Sequence, residues 1–293
     1  MQRIWKPFFL ILWVFVLASC QTNQAASDTR PTGKGVQNVG SDTMVNLALA
    51  WAEAYQHEHP EFSISVTGGG SGTGIAALIN GTVDIANASR QIKTNEIEDA
   101  QKQGINPVEF VVAKDAIAVI VNPENPVSQL TLEQISAIYS GKINRWNEVG
   151  GEDRPIVRLS RETNSGTHTY FLEQVLRLGQ KGDKTLFSTD TLLMPSSEGI
   201  GMEVIQNPNA IGYDGLGYVT PEMKVIAVAK TAQGPYILPS VETVNDHTYP
   251  IARDLYMYTA GEPIGEVKTY MEYIASAEAQ AIVEKLGFVP ILP

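Results

Sequence analysis

Apolar and polar positions along this 293-residue chain switch repeatedly between a period of two and a period near 3.6, and each switch marks a strand giving way to a helix. Positions 36–40 read as a short strand. From 43 to 57 the residues Met44, Leu47, Trp51, Ala54 and Tyr55 recur at helical spacing. Positions 62–67 alternate as a strand, and 72–80 read as a helix through Ile75, Leu78 and Ile79, closed by Gly81. A strand at 83–86 and a charged helix at 95–102 follow. The β-rich run 116–121 stops at Asn122-Pro123-Glu124-Asn125-Pro126, whose turn chemistry predicts a crossing between lobes. Beyond it come a helix at 130–139, a strand at 156–159, and a helix at 167–178 with Tyr170, Phe171, Val175 and Leu178 on one face. Short strands are predicted at 210–213 and 225–228, a return crossing at 255–258 and a long terminal helix at 267–286. This alternation predicts an α/β protein with helix-covered sheets.

The first twenty positions follow neither period. Arg3 and Lys6 form a short basic region, 7–19 is almost wholly apolar, and Leu17-Ala18-Ser19-Cys20 ends it with small residues and the chain's one cysteine. The apolar run is shorter than the roughly 20 residues a membrane-spanning helix needs, so 1–19 reads as an export signal. The tetrapeptide resembles a bacterial lipobox. That resemblance implies cleavage before Cys20 and lipid on its sulfur, which would make lipid the membrane attachment and exclude disulfides, thiolate catalysis and Cys-based metal sites. Positions 20–35, rich in Thr, Ser, Gly, Gln and Ala, read as a flexible tether. The remaining 36–293 is long enough for two lobes.

Charge narrows the partners. The chain carries 21 Lys and Arg against 32 Asp and Glu, a formal net of -11, and loss of Arg3 and Lys6 would make it more acidic still. No basic stripe is visible, which argues against a nucleic-acid partner. A small anion remains possible if local dipoles and a few buried cations hold it against the overall field.

Two segments have that chemistry. Gly68-Gly69-Gly70-Ser71-Gly72-Thr73-Gly74 and Arg161-Glu162-Thr163-Asn164-Ser165-Gly166-Thr167 each place small hydroxyl residues and flexible backbone just before a helical pattern. Taken alone, the first could be a tight strand-to-helix turn and the second an ordinary capped helix start. The first is not a nucleotide P-loop, because Ile75 follows Gly74 where Lys-Ser/Thr would be required. A dinucleotide fingerprint also fails, since Glu96, the one acid at suitable distance, lies in a polar helix rather than at a strand end. In the second segment Arg161 offers a planar fork of donors that matches two oxygens of a tetrahedral anion.

These stretches, with Val39-Gly40-Ser41-Asp42-Thr43, Asp84-Ile85-Ala86-Asn87-Ala88-Ser89-Arg90, Ile211-Gly212-Tyr213 and Gly287-Phe288-Val289-Pro290, resemble the substrate-binding protein of the bacterial phosphate ABC importer. The resemblance runs from about position 36 to 293. It implies the two-lobed periplasmic-binding-protein fold of type 2, each lobe a helix-flanked mixed sheet, with 36–121 plus 255–293 as one lobe and 122–254 as the other. It also implies a lipid-anchored, extracytoplasmic monomer that binds inorganic phosphate, as hydrogenphosphate, and delivers it to membrane permease subunits, without catalysis or cofactor. Phosphate would be held by Ser41, Asp42, Thr43, Ser71, Ser89, Arg90, Arg161, Ser165, Gly166 and Thr167. Some relatives carry an acid at about position 89 or 90, where this chain has Ser89-Arg90. Asp42 is therefore expected to accept the proton of hydrogenphosphate, with Ser89 and Arg90 as further donors. A carboxylate in that role tolerates a protonated anion and rejects sulfate.

Three other readings stay open on sequence. A receptor for sulfate or molybdate would need no acceptor in the cleft, a secreted phosphatase would use the loops as a phosphate cradle, and an adhesion or signalling protein would keep the fold without the ligand. His57, His59, His168 and His247 show no metal-ligand spacing, and no base stands clearly beside a serine. Trp146 reads as core packing.

Overall fold

The computed structural model describes residues 35–291. The expected signal at 1–19, Cys20 and all but the last residue of the expected tether lie outside the described residues.

Ten strands and nine α-helices alternate along the described chain. In order they are β1 (Gly35–Gly40), α1 (Val45–Glu58), β2 (Ser63–Thr67), α2 (Ser71–Ile79), β3 (Ile85–Ala88), α3 (Thr94–Lys102), β4 (Val108–Val121), β5 (Gln129–Thr131), α4 (Leu132–Tyr139) and β6 (Val157–Arg161). Then come α5 (Gly166–Tyr170), β7 (Leu192–Met194), α6 (Ser197–Gln206), β8 (Ala210–Gly215), β9 (Lys224–Ala229), α7 (Val241–Asn245), β10 (Ala252–Thr259), α8 (Gly265–Ile274) and α9 (Ala277–Lys285).

The sheet order is β2-β1-β3-β10-β4-β8-β6-β7, with β9 pairing β4 and β5. β1 runs parallel to β2 and β3, whereas β10 is antiparallel to β3 and β4. The 14-residue strand β4 is the shared spine: up to Ala116 it pairs with β10, and from Ile117 onward with β8 and β9. The chain thus changes from one half-sheet to the other inside β4, ahead of the Asn122 break that turn chemistry singled out. A strand buried on both faces reads as one apolar run, so the change of partner leaves no mark in its composition.

Each half has its own core. Met44, Leu47, Trp51 and Tyr55 of the first helical stretch pack with Leu255, Met257, Tyr270, Val283 and Phe288. Tyr139, Trp146, Phe171, Tyr213, Val228 and Tyr249 pack around the far end of β4. Burying an aromatic or large aliphatic side chain of this kind contributes about 1.5–3 kcal/mol, so either core repays the ordering of its helices. Trp51 also donates its indole N–H to the carbonyl of Ala279 at 2.8 Å, tying α1 to α9.

Several expected elements differ, among them the return crossing at 255–258, which lies inside β10 paired with β3 and the first part of β4, so the chain returns ahead of Ala252. The terminal 267–286 helix is two helices, because the Ser276 hydroxyl accepts the Ala279 N–H and starts α9 afresh. The 130–139 helix begins at Leu132, where Thr131 and Gln134 form a capping box, and Gln129–Thr131 pairs with β9 as a strand. The 167–178 helix is a single α-turn, α5, running into a π-helical stretch at Phe171–Leu176.

Candidate anion site

The two hydroxyl-rich loops face one another and touch. Gly72 donates its N–H to the carbonyl of Asn164 at 3.0 Å, and the Asn164 amide donates to the carbonyl of Gly69 at 2.8 Å. Glycine makes this approach possible. Gly70 sits at φ 93, and a Cβ there would lie 2.8 Å from the Asn164 carbonyl oxygen. On the opposite loop, a Cβ on Gly166 would overlap the hydroxyls of both Ser71 and Ser89.

Around this contact lies a layer of buried polar side chains. Ser41, Thr43, Ser71, Ser89, Arg161, Ser165 and Thr167 are each at most 3% exposed. Two of the hydroxyls accept backbone N–H groups, and those of Ser71 and Ser89 also lie 3.3 Å apart. Ser165 accepts the N–H groups of Thr167 and His168, and Ser71 accepts the N–H of Ser89 at 3.0 Å. A hydroxyl has one proton to give, and the backbone donors that load its oxygen leave that proton for an acceptor elsewhere. Thr43 and Thr167 share a hydrogen bond at 2.7 Å across the cleft.

Arg161 ends β6 at 1% exposure. Its Nη2 donates to Asp42 Oδ2 at 2.6 Å and to the Pro195 carbonyl at 3.0 Å, and its Nη1 donates to Ser197 Oγ at 2.9 Å. The buried Nε–H meets no protein acceptor. Behind it, Ser197 donates to Asp214 at 2.8 Å, so a second carboxylate balances the guanidinium through one hydroxyl. Burial pushes the Asp214 carboxyl up to about 6, against the pull of the Arg161 charge and of its hydrogen bonds from Ser197 and Gly215.

Asp42 stands at the edge of this layer, its side chain 18% exposed. Oδ1 accepts the Gly69 N–H at 2.9 Å and Oδ2 accepts Arg161, so each oxygen already serves a protein donor and has one remaining lone-pair direction. Arg90, 8% exposed, points its terminal nitrogens at Glu96, at 2.8 and 2.7 Å. Glu96 is lowered in consequence: burial works to raise it, but the hydrogen bonds from Arg90 and the Lys93 N–H outweigh that. The guanidinium of Arg90 is thus committed to an acid on α3 rather than to the hydroxyl layer.

Sequence reasoning did not single out Asp115, Arg253, Ser197 or Asp214. Asp115 and Arg253 face each other across β4 and β10, and Arg253 donates to Asp115 Oδ2 at 2.9 Å. Burial pushes Asp115 up, opposed by the Arg253 charge and hydrogen bond. A signal existed: one acid stands immediately before the unbroken apolar run Ala116-Ile117-Ala118-Val119-Ile120-Val121, and buried charges are rare unless paired.

His168 shares a hydrogen bond with Ser160 at 3.1 Å, and Ser160 another with Tyr213 at 2.6 Å. Burial lowers His168, and the Ser160 hydroxyl is shared between His168 and Tyr213. Trp146 is buried in the second core. No group of three or more His, Cys, Asp or Glu side chains is arranged to hold a metal among the described residues. An open cleft of about 650 Å³ adjoins the layer, lined by Arg90, Lys93, Tyr170, Arg253 and Tyr256, but none of the serines borders it.

A model of the PBP superfamily domain matches residues 23–278. The phosphate-binding protein PstS of Pseudomonas aeruginosa is 32% identical over 273 residues, covering 87% of this chain and 83% of the relative. The chain belongs to the phosphate-binding proteins of the PBP superfamily. A phosphate ABC transporter substrate-binding protein from Clostridium perfringens, solved with bound phosphate, superposes with a TM-score of 0.78 at 33% identity, covering 88% of this chain and 99% of that one. An ABC-type phosphate transport receptor from Vibrio cholerae superposes at 0.69 with 29% identity, covering 87% and 99%. The two half-sheets joined by β4 are therefore the two lobes of the periplasmic-binding-protein fold, as the resemblance in sequence led one to expect.

Proposed function

We propose that this chain binds inorganic phosphate outside the cytoplasm and delivers it to the permease subunits of an ABC importer; its relatives are named as a phosphate-binding protein and as a phosphate ABC transporter substrate-binding protein. One observation carries the reading: Ser71, Ser165, Thr43 and Thr167 form a buried layer of hydroxyls beside the buried Arg161, whose Nε–H lacks a protein acceptor. Such a layer substitutes for the water shell of a small tetrahedral anion without adding a net field.

In this reading Ser71, Ser89, Thr43, Ser165, Thr167 and Arg161 donate, with Ser41 and the backbone of Gly166 completing the enclosure. Asp42 accepts the proton of hydrogenphosphate on the lone pair that Arg161 and Gly69 leave. Arg90, expected as a further donor, is held by Glu96 and is left out of the ligand shell. The lobes, expected at 36–121 plus 255–293 and 122–254, are assigned with their crossings inside β4 after Ala116 and just ahead of β10, acting as a monomer that closes on its ligand. Export by 1–19, lipid on Cys20 and a tether over 20–35 would hold it to the cell envelope. No catalytic step is assigned.

Titration calorimetry tests the proposal. Phosphate is expected to bind at one site and sulfate much more weakly. Absence of heat with phosphate, or equal affinity for the two anions, overturns it. A secreted phosphatase would instead turn over a phosphate ester, and steady release of phosphate from p-nitrophenyl phosphate would favour that reading.

A further inference from the structure

The guanidinium of Arg253 lies beneath the hydroxyl layer and touches three of the stretches that build it. Its Nη1 donates to the carbonyl of Ser89 at 2.9 Å. Nη2 donates to Thr167 Oγ1 at 2.9 Å and approaches Thr43 Oγ1 at 3.5 Å, a marginal distance. Nε and Nη2 hold Asp115 Oδ2 at 3.2 and 2.9 Å, and Asp115 Oδ1 accepts the Leu216 N–H at 3.1 Å. The ring of Tyr170 lies 5.7 Å from its central carbon. Asp115 is wholly buried and Arg253 is 7% exposed, so the pair is fixed at the junction of the two half-sheets.

We propose that Arg253 is a positioning residue for phosphate capture: it fixes which way the Thr43 and Thr167 hydroxyls point and makes their pair a donor to the ligand. The inference rests on the phosphate reading above. Its logic is proton accounting. A guanidinium only donates, so Thr167 Oγ1 must accept from Arg253. Thr43 and Thr167 have two hydroxyl protons between them and one bond to make, at 2.7 Å. One proton lies on that line. The other is left over whichever way the pair is polarised, and on Thr167 it cannot point toward Arg253, whose N–H already occupies that side of the oxygen. It is left for an acceptor-rich anion. Without Arg253 a hydroxyl can turn inward, and the pair then presents a lone pair to the phosphate oxygen.

Asp115 cancels the charge of Arg253 locally. Its effect is therefore directional: it sets where the threonine protons point rather than supplying charge. Because Thr43 and Thr167 belong to opposite loops of the cleft, the orientation holds only when the loops meet, and Arg253 ties hydroxyl order to closure.

A double-mutant cycle read by phosphate calorimetry tests this, with thermal unfolding of each ligand-free variant as a control. Arg253→Met is expected to weaken phosphate about 10- to 100-fold, and Thr167→Val by a similar factor, as for loss of one charge-assisted hydrogen bond. If Arg253 acts through Thr167, the double variant is no more than about threefold weaker than Thr167→Val alone. Losses that multiply overturn the proposal, as does unchanged affinity in Arg253→Met. Should Arg253→Met fail to fold because Asp115 is left unpaired, the cycle is run on the background Asp115→Asn with Arg253→Met, which removes both charges. A parent chain that takes up no phosphate sinks the phosphate reading itself. A parent that binds while the losses multiply sinks the role of Arg253 alone.

Discussion

The carboxylate of Asp42 and the guanidinium of Arg161 meet at 2.6 Å although 119 residues separate them in sequence. The pair bridges the cleft. Arg161 is almost completely buried, whereas the Asp42 side chain retains contact with solvent. Asp42 therefore has two tasks that depend on one position. It balances a guanidinium whose burial would otherwise be costly, and it places a carboxylate next to the donor that an incoming anion must share. An anion still carrying a proton can donate it to Asp42. One with none brings bare oxygen against a carboxylate.

Asp42→Asn should consequently relax anion discrimination. A site that hydrogen-bonds a ligand hydroxyl excludes the analogue lacking it by about 10⁴-fold, and the substitution is expected to reduce the phosphate-over-sulfate ratio at least about tenfold. Calorimetry with each anion measures the ratio. An unchanged ratio would refute the acceptor role.

Gly166→Ala should weaken phosphate with little effect on the ligand-free protein. The added methyl would occupy the space of the Ser71 and Ser89 hydroxyls, and overpacking of this kind costs about 1–3 kcal/mol, or about 5- to 150-fold in affinity. Open lobes relieve the clash, so the melting temperature without ligand should stay near the parent's. Affinity within twofold of the parent would show that the loops need not touch in the bound state.

Asp214 should make stability fall as pH rises from about 4 to about 6. In the unfolded chain this carboxyl loses its proton near pH 4, while in the fold it retains it up to about 6. Across that window the native state binds more protons than the unfolded state, so raising pH favours unfolding, by about 3 kcal/mol in total from this group. His168, lowered by burial, works the other way: between its lowered value and the ordinary histidine value the unfolded chain binds more protons, so rising pH favours the fold there. Melting curves of the parent and Asp214→Asn separate the two: the variant should gain on the parent as pH climbs through the window. A constant difference would contradict the assignment.

Cys20→Ser should move the protein from the membrane to the soluble fraction of the cell envelope while phosphate affinity is retained. Fractionation and labelling with a radioactive fatty acid read this out. Continued membrane association without label would point to a different anchor.

Much of this was legible in the residues, for reasons that differ by element. The stripe of Met44, Leu47, Trp51 and Tyr55 predicts α1 because burial of a helix face leaves a period in the chain itself. Ser71 and the Arg161 to Thr167 stretch stand out because hydroxyls, glycine and, in the second, a guanidinium lie close together in sequence, and the structure brings the two loops into contact. The interruption at Ser276 was missed, since a serine inside a helical pattern is as often a tolerated interior residue as a cap.

By itself the sequence determined the α/β alternation, the family and the two hydroxyl-rich loops that begin α2 and α5, all of which are written in short stretches whose chemistry is local. Only the tertiary structure decided which distant groups meet: Asp42 with Arg161, Thr43 with Thr167, Arg90 with Glu96, and Arg253 with Asp115 under the hydroxyls. The physical reason is that a buried charge or hydroxyl must find its partner wherever the sheets bring one within about 3 Å, and that proximity is a property of strand order and register rather than of neighbours along the chain.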